Sequence, residues 1–297
     1  MYDPVCHVVS AGGKRVRPLL AALCYRLTRQ DNGWINAGIA IELLHTFTLV
    51  HDDIMDSAAT RRGLPTVHAK YGVNEAILSG DVMIALAQHS LAQHALAKPQ
   101  NAASMLAELS TGFIRVCEGQ AYDKDFEQRQ DVSIDDYINM IDLKTAKIAE
   151  TAAVLGALAA ENTSDVEALR SFAHHVGIAF QIQDDLLDLI AEHADFGKTI
   201  GGDILEGKRT FLMLKLVERE PSLEASEREL IHRVLGRKAT QDDIAQIRAS
   251  MQRTGVLDEA RTAVEEHTQL ALASLEKVRH DTSHLREFAD WLLMRKH

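Results

Sequence analysis

Residues 51–56 read HDDIMD and residues 183–188 read QDDLLD, so three aspartates around an apolar pair occur twice, 132 residues apart. Both copies sit in apolar surroundings: Leu49, Val50, Ile54 and Met55 around the first, Ile182, Leu186 and Leu187 around the second. On a helix, positions i and i+4 differ by about 40° and ~6 Å of rise, which sets Asp52 beside Asp56 and Asp184 beside Asp188. The middle members, Asp53 and Asp185, lie about 100° away and are suited to supporting their neighbours. Like charges at this spacing weaken a helix by a few tenths of a kcal/mol, and burying them unpaired costs far more. One copy alone reads equally well as a solvated helix end. Two copies in apolar helices point to a bound cation. Oxygen-only donors suit Mg²⁺, which keeps part of its water shell and bridges carboxylates to phosphates. The cysteines and histidines form no zinc set, and no convincing set of E-x-x-H pairs for a di-iron bundle appears.

The surrounding sequence is helical in character. Its 297 residues are 46% hydrophobic and 25% charged, with only five prolines. Ala and Leu are abundant and runs of β-branched residues are rare, which favours helix over strand. The expected fold is all-α: a single domain over 1–297, built as a bundle of antiparallel helices around a central cavity. Helices are expected from Arg17 through Leu27 and over 35–57, 74–97, 101–121, 134–160, 165–191, 208–219, 225–236, 240–253, 256–278 and 283–295. Pro4, Gly12 and Gly13 predict a turn before the first of these, and TRRGLP at 60–65 predicts a loop. HADFGKTIGGDILEGK at 193–208 is a long glycine-rich connection, expected to be a mobile loop that closes over the site and excludes water.

A net charge of −11 disfavours sequence-independent nucleic-acid binding. Cys6, Cys24 and Cys117 lack a CxxC spacing and cannot all pair, which points to reduced thiols in the cytoplasm. No stretch reaches the ~18–20 apolar residues of a membrane span, and the N-terminus lacks the pattern of a signal peptide.

Magnesium between acidic helices predicts a phosphate ligand with its own cationic donors. GGKRVRP supplies Lys14, Arg15 and Arg17, and RRGLP supplies Arg61 and Arg62 just beyond Asp56. Lys144 and Thr145 fall on a helix, and Lys198 and Lys208 lie in the glycine-rich connection. His45, seven residues before Asp52, is about 20° from it on the helical wheel. Singly, each has an ordinary structural explanation. Their grouping beside both acidic motifs does not.

With GGKRVRP, HTFTLVHDDIMDSAATRRGLPT, KT, FQIQDDLLD and FGKTIGGDILEGKRT in this order, the chain resembles the trans-isoprenyl diphosphate synthases from about Tyr2 to Leu216. The resemblance implies an all-α isoprenoid synthase fold, a homodimer and three Mg²⁺ ions. Asp52 and Asp56 would hold two ions and Asp184 the third, with Asp53, Asp185 and Asp188 in support. Arg61, Lys144, Lys198 and Lys208 would contact an allylic diphosphate (dimethylallyl, geranyl or farnesyl), with Gln181 nearby. Lys14, Arg17, His45 and Arg62 would bind isopentenyl diphosphate. Thr145 and Gln181 would stabilise the allylic cation by their dipoles. Family members also carry a longer segment before the GGK motif than the eleven residues preceding Gly12, so an N-terminal helix is expected to be shortened or missing here.

Residues just upstream of the first motif set product length in this family. Phe47, with Thr48 and Leu44 nearby, resembles short-chain synthases and implies geranylgeranyl diphosphate (C20) ahead of farnesyl diphosphate (C15) or longer products. Helix geometry turns Phe47 about 140° from Asp52, so its place in a pocket rests on the resemblance. A class I terpene cyclase would need no second diphosphate site such as GGKRVRP and carries a different second motif. A non-catalytic partner subunit would be expected to lose aspartates or basic residues, and all are present.

Overall fold

Long apolar-striped segments with few breakers leave the backbone one economical way to satisfy its hydrogen bonds, which is helix. A computed structural model describes residues 2–190 and 201–293, and these are overwhelmingly helical. The helices are α1 (Tyr2–Ser10), α2 (Val16–Arg26), α3 (Ile35–Met55), α4 (Val67–Tyr71), α5 (Val73–Ala97), α6 (Ala102–Phe126) and α7 (Ile134–Ile141). A π-helical segment, Asp142–Ala146, leads into α8 (Lys147–Ala159), followed by α9 (Val166–Ile190), α10 (Gly202–Leu205) and α11 (Phe211–Glu218). The last are α12 (Ala225–Leu235), α13 (Gln241–Arg253), α14 (Val256–Leu275) and α15 (Ser283–Leu293).

The chain groups into two compact units. The first comprises Met1–Ile114, Ile148–Ala173 and Ser274–Phe288. There α3 packs along α5, α2 against α3, and α1 against α5. Residues 152–159 of α8 are all buried, as expected of a helix segment apolar all round. The buried Asp165 carboxylate accepts from Asn162 Nδ2 (3.0 Å) and pairs with His280 Nδ1 (2.8 Å), tying the segment before α15 to the start of α9. The second unit comprises Arg115–Lys147, His174–Ala273 and Ala289–His297, with α11 packed on α7 and on α13.

Five features depart from the sequence expectations. One is the short helix α10 within the connection expected to be a loop, of which 193–200 lie outside the described residues. Residues 2–10 form a helix rather than a turn. Pro4 falls in its first turn, where no amide donor is needed, and Pro4 and Val5 are buried. TRRGLP is a tight hairpin pairing Thr60 with Pro65 and Arg61 with Leu64. Arg62 and Gly63 both take positive φ (54° and 74°), as the favoured two-residue hairpin turn requires. The short helix α4 follows it. The helix expected over 134–160 is interrupted by the π-helical segment, a feature with no compositional signal.

Candidate active site

The first motif ends α3. Asp53 is 2% exposed, whereas Asp52 is half-buried and Asp56, the C-cap residue, is exposed. The burial follows the 100° offset of the middle aspartate. The hairpin folds back so that Arg61 Nε donates to Asp53 Oδ1 at 2.7 Å, with Arg61 Nη2 3.9 Å from Asp52 Oδ2. Burial raises the Asp53 pKa, and the adjacent guanidinium of Arg61 opposes that shift.

The same unit gathers further cations. Arg17 Nη1 lies 3.0 Å from His45 Nε2. Arg15, in a left-handed conformation before α2, pairs with Glu42. Arg62 donates to the Gly12 carbonyl, and a Cβ on Gly13 would lie 2.8 Å from the Arg62 guanidinium carbon. Lys14 is exposed on the same turn. Burial and the fields of Arg17, Arg62, Arg61 and Arg15 hold His45 well below its usual pKa, so its imidazole is neutral at pH 7. Burial also lowers the Arg17 pKa, to about 10. The Arg17 Nε is buried and makes no hydrogen bond among the described residues. A buried unpaired donor among arginines is what an incoming anion would satisfy.

Upstream of Asp52, Phe47 is 6% exposed and makes edge contacts with Phe113 (5.3 Å between ring centroids) and His51 (4.8 Å). Leu44 is buried. The Thr48 hydroxyl donates to the carbonyl of His45, on its own helix, at 2.7 Å.

The second motif lies in the last turns of α9. Asp184 is exposed, Asp185 is 6% exposed, and Asp188 is half-buried. Asp185 accepts from Tyr137 Oη (2.6 Å), Gln181 Nε2 (3.0 Å) and the Phe211 amide (3.3 Å). Burial and the nearby Asp203 push its pKa up to about 7, against those donors. Asp188 Oδ2 accepts from the Asp203 amide at 3.1 Å, anchoring the start of α10.

Lys144 and Thr145 lie on the π-helical segment. Lys144 Nζ donates to Asp123 at 2.6 Å, and Thr145 Oγ1 donates to Gln181 Oε1 at 2.9 Å. Lys208 is 3.2 Å from Asp203 and 2.8 Å from Glu206. Burial would lower its pKa, but these two carboxylates outweigh that and raise it. Lys198 lies outside the described residues.

Arg17, His45, Arg61 and Arg62 thus converge in the first unit, and Thr145, Gln181 and Asp185 in the second. Sequence reasoning missed Glu42, Phe113, Asp123, Tyr137 and Asp203. Of these only Asp203 carried a signal, its place in GGDILEGK. The donors also fit a hard divalent cation: each motif offers three aspartate carboxylates and no cysteine.

Comparison with known proteins agrees with this chemistry. Residues 1–251 match the family model described as polyprenyl synthetase. A geranylgeranyl diphosphate synthase of Sulfolobus acidocaldarius is 39% identical over 281 residues, covering 94% of this chain and 84% of that protein. A geranylfarnesyl diphosphate synthase of Aeropyrum pernix is 36% identical, covering 97% and 90%. The crystal structure of geranylgeranyl pyrophosphate synthase from Corynebacterium glutamicum, complexed with isoprenyl diphosphate and magnesium, superposes with a TM-score of 0.90 at 29% identity, covering 99% and 91%. The chain therefore belongs to the polyprenyl synthetase family, the trans-isoprenyl diphosphate synthases, and is a prenyltransferase.

Proposed function

We propose that this enzyme condenses isopentenyl diphosphate with an allylic diphosphate and makes geranylgeranyl diphosphate. The observation that carries this reading is the arginine cluster around neutral His45, with the unpaired Arg17 Nε inside it. A one-diphosphate cyclase has no use for such a socket. In this reading Lys14, Arg17, His45 and Arg62 hold isopentenyl diphosphate, while Arg61, Lys144, Lys198 and Lys208 hold the allylic diphosphate. Asp52 and Asp56 would ligate two Mg²⁺ ions and Asp184 a third, supported by Asp53, Asp185 and Asp188. Mg²⁺ at these carboxylates supplies neutralisation of the charge that builds on the departing diphosphate.

The residues divide the remaining work. Lysine and arginine donors stabilise the pyrophosphate as the allylic C–O bond breaks. Thr145 and Gln181 turn oxygen dipoles toward the resulting allylic cation. The isopentenyl double bond attacks that cation, a C–C bond forms, and pyrophosphate takes the proton lost from the adduct. No protein nucleophile is required.

Product length is assigned to Phe47, with Leu44 and Thr48 nearby, and the contact with Phe113 supports an aromatic floor. Incubating the enzyme with Mg²⁺, isopentenyl diphosphate and each of the three primers is expected to give mainly C20 product. Phe47→Ala should lengthen it by at least one five-carbon unit. A main product of C25 or longer from the unaltered enzyme would overturn the C20 assignment, and an unchanged product from Phe47→Ala would remove Phe47 as the floor.

We also propose a homodimer. In the first unit Val73, Ile77 and Leu78 on α5, and Leu106 and Ile114 on α6, are large apolar side chains left exposed, as at surfaces that bind protein. Light scattering should give twice the 32.9 kDa chain mass. A monomer at micromolar concentration would refute it.

A further inference from the structure

One end of the hydrogen-bond chain in the second unit has no role in the chemistry above. It runs from Thr145 to Gln181 (2.9 Å), from Gln181 to Asp185 (3.0 Å), and ends where the Tyr137 hydroxyl donates to Asp185 at 2.6 Å. Tyr137 is buried and its ring rests edge-on against Phe211, whose amide also donates to Asp185. Both Asp185 oxygens are taken up as acceptors, Oδ2 by the Tyr137 hydroxyl and the Phe211 amide and Oδ1 by Gln181. Oδ1 thus holds the NH₂ end of the Gln181 amide. The Gln181 carbonyl is then left to accept from Thr145. The Thr145 proton points at Gln181 and its lone pairs point elsewhere.

The opposite amide orientation would turn N–H groups, the positive end of the dipole, toward the place where Thr145 looks for an acceptor. Among the described residues, the Tyr137 hydroxyl makes the shortest bond to Asp185. Removing it frees the carboxylate to rotate and loosens the amide it fixes.

We propose that Tyr137 is a positioning residue for prenyl transfer: its hydroxyl locks Asp185, and through it the Gln181 amide, in the orientation that presents oxygen to the allylic cation. This rests on the reading that Thr145 and Gln181 face that cation. Tyr137 is buried and acts through Asp185. Its loss should therefore act on the chemical step and leave binding alone.

Steady-state kinetics with Mg²⁺, isopentenyl diphosphate and geranyl diphosphate test this on four proteins: the unaltered enzyme, Tyr137→Phe, Thr145→Val and the double variant. Tyr137→Phe keeps the ring against Phe211 and is expected to lower kcat about tenfold, with both KM values within about twofold. Because the effect passes through Thr145 and Gln181, adding Tyr137→Phe to Thr145→Val should change kcat by less than about twofold. A 3-fluorotyrosine at position 137, which retains the hydroxyl donor, should restore the rate. An unchanged kcat in Tyr137→Phe, a change confined to KM, losses that multiply in the double variant, or no rescue by 3-fluorotyrosine would each overturn the proposal. An unaltered enzyme inactive with every primer would instead defeat the functional reading beneath it.

Discussion

Asp52→Asn and Asp184→Asn are each expected to lower kcat by at least about 10²–10³, the scale of losing one preorganised electrostatic group at a reacting centre, while leaving the fold intact. Asparagine keeps the size and one oxygen but removes the charge on which a divalent cation depends. The structural cost is small for identifiable reasons. Asp184 is exposed, and substitutions at such positions usually change stability by no more than about 0.5 kcal/mol. Asp52 has Arg61 at 3.9 Å and remains partly in solvent, a kind of pair worth about 0–1 kcal/mol. Loss of its repulsion with Asp56 returns a few tenths. Rates at saturating Mg²⁺, read beside thermal midpoints, check the claim. Full activity in both variants would defeat the metal assignment, and a fall of more than about 10 °C in midpoint would shift the cause to folding. Asp185→Asn makes the contrast: three donors converge on that carboxylate, so its variant should lose stability as well as rate.

The same contrast shows what the sequence reveals. Helical spacing alone separates Asp53 and Asp185 from their neighbours, and these two are the buried members. Periodicity works here because motif and helix share one repeat. It fails for Tyr137, 48 residues from Asp185, and for Asp123, 21 residues from Lys144. Those contacts depend on how α7, α6 and α9 pack, and no local pattern encodes them. The hairpin was hidden for another reason: its strands are two residues long, too short for alternation to register. At α1, Pro4 and the two glycines read as a turn, although Pro4 sits where a helix accepts it. Phe47 lies in between. The helical wheel turns it away from Asp52, and only the tertiary contact with Phe113 gives it a definite partner.

Gly177→Ala and Gly119→Ala are expected to reduce kcat on the order of 100-fold, though neither residue lies in a recognised motif. Both are buried in helix interiors, where glycine costs about 1 kcal/mol relative to alanine. What they permit is close approach to the π-helical segment that carries Lys144 and Thr145. A Cβ on Gly177 would fall 2.6 Å from the Cα of Ala146, and one on Gly119 would fall 2.8 Å from the Cα of Lys144. These are backbone atoms, so relief requires the segment itself to move. Overpacking of this kind costs about 1–3 kcal/mol, partly offset by the gain in helix propensity, so the variants should fold with modest loss of stability. The rate is more sensitive, because displacing catalytic groups by about 1 Å can cost about 10². The wide turn aims the Lys144 ammonium at Asp123 and the Thr145 hydroxyl at Gln181, and a glycine on α6 and another on α9 hold it between them. Kinetics and unfolding midpoints separate the two effects: a rate loss beyond the unfolded fraction at assay temperature marks displaced side chains. Gly177→Ala with an unchanged kcat would mean that the segment keeps its geometry without the clamp.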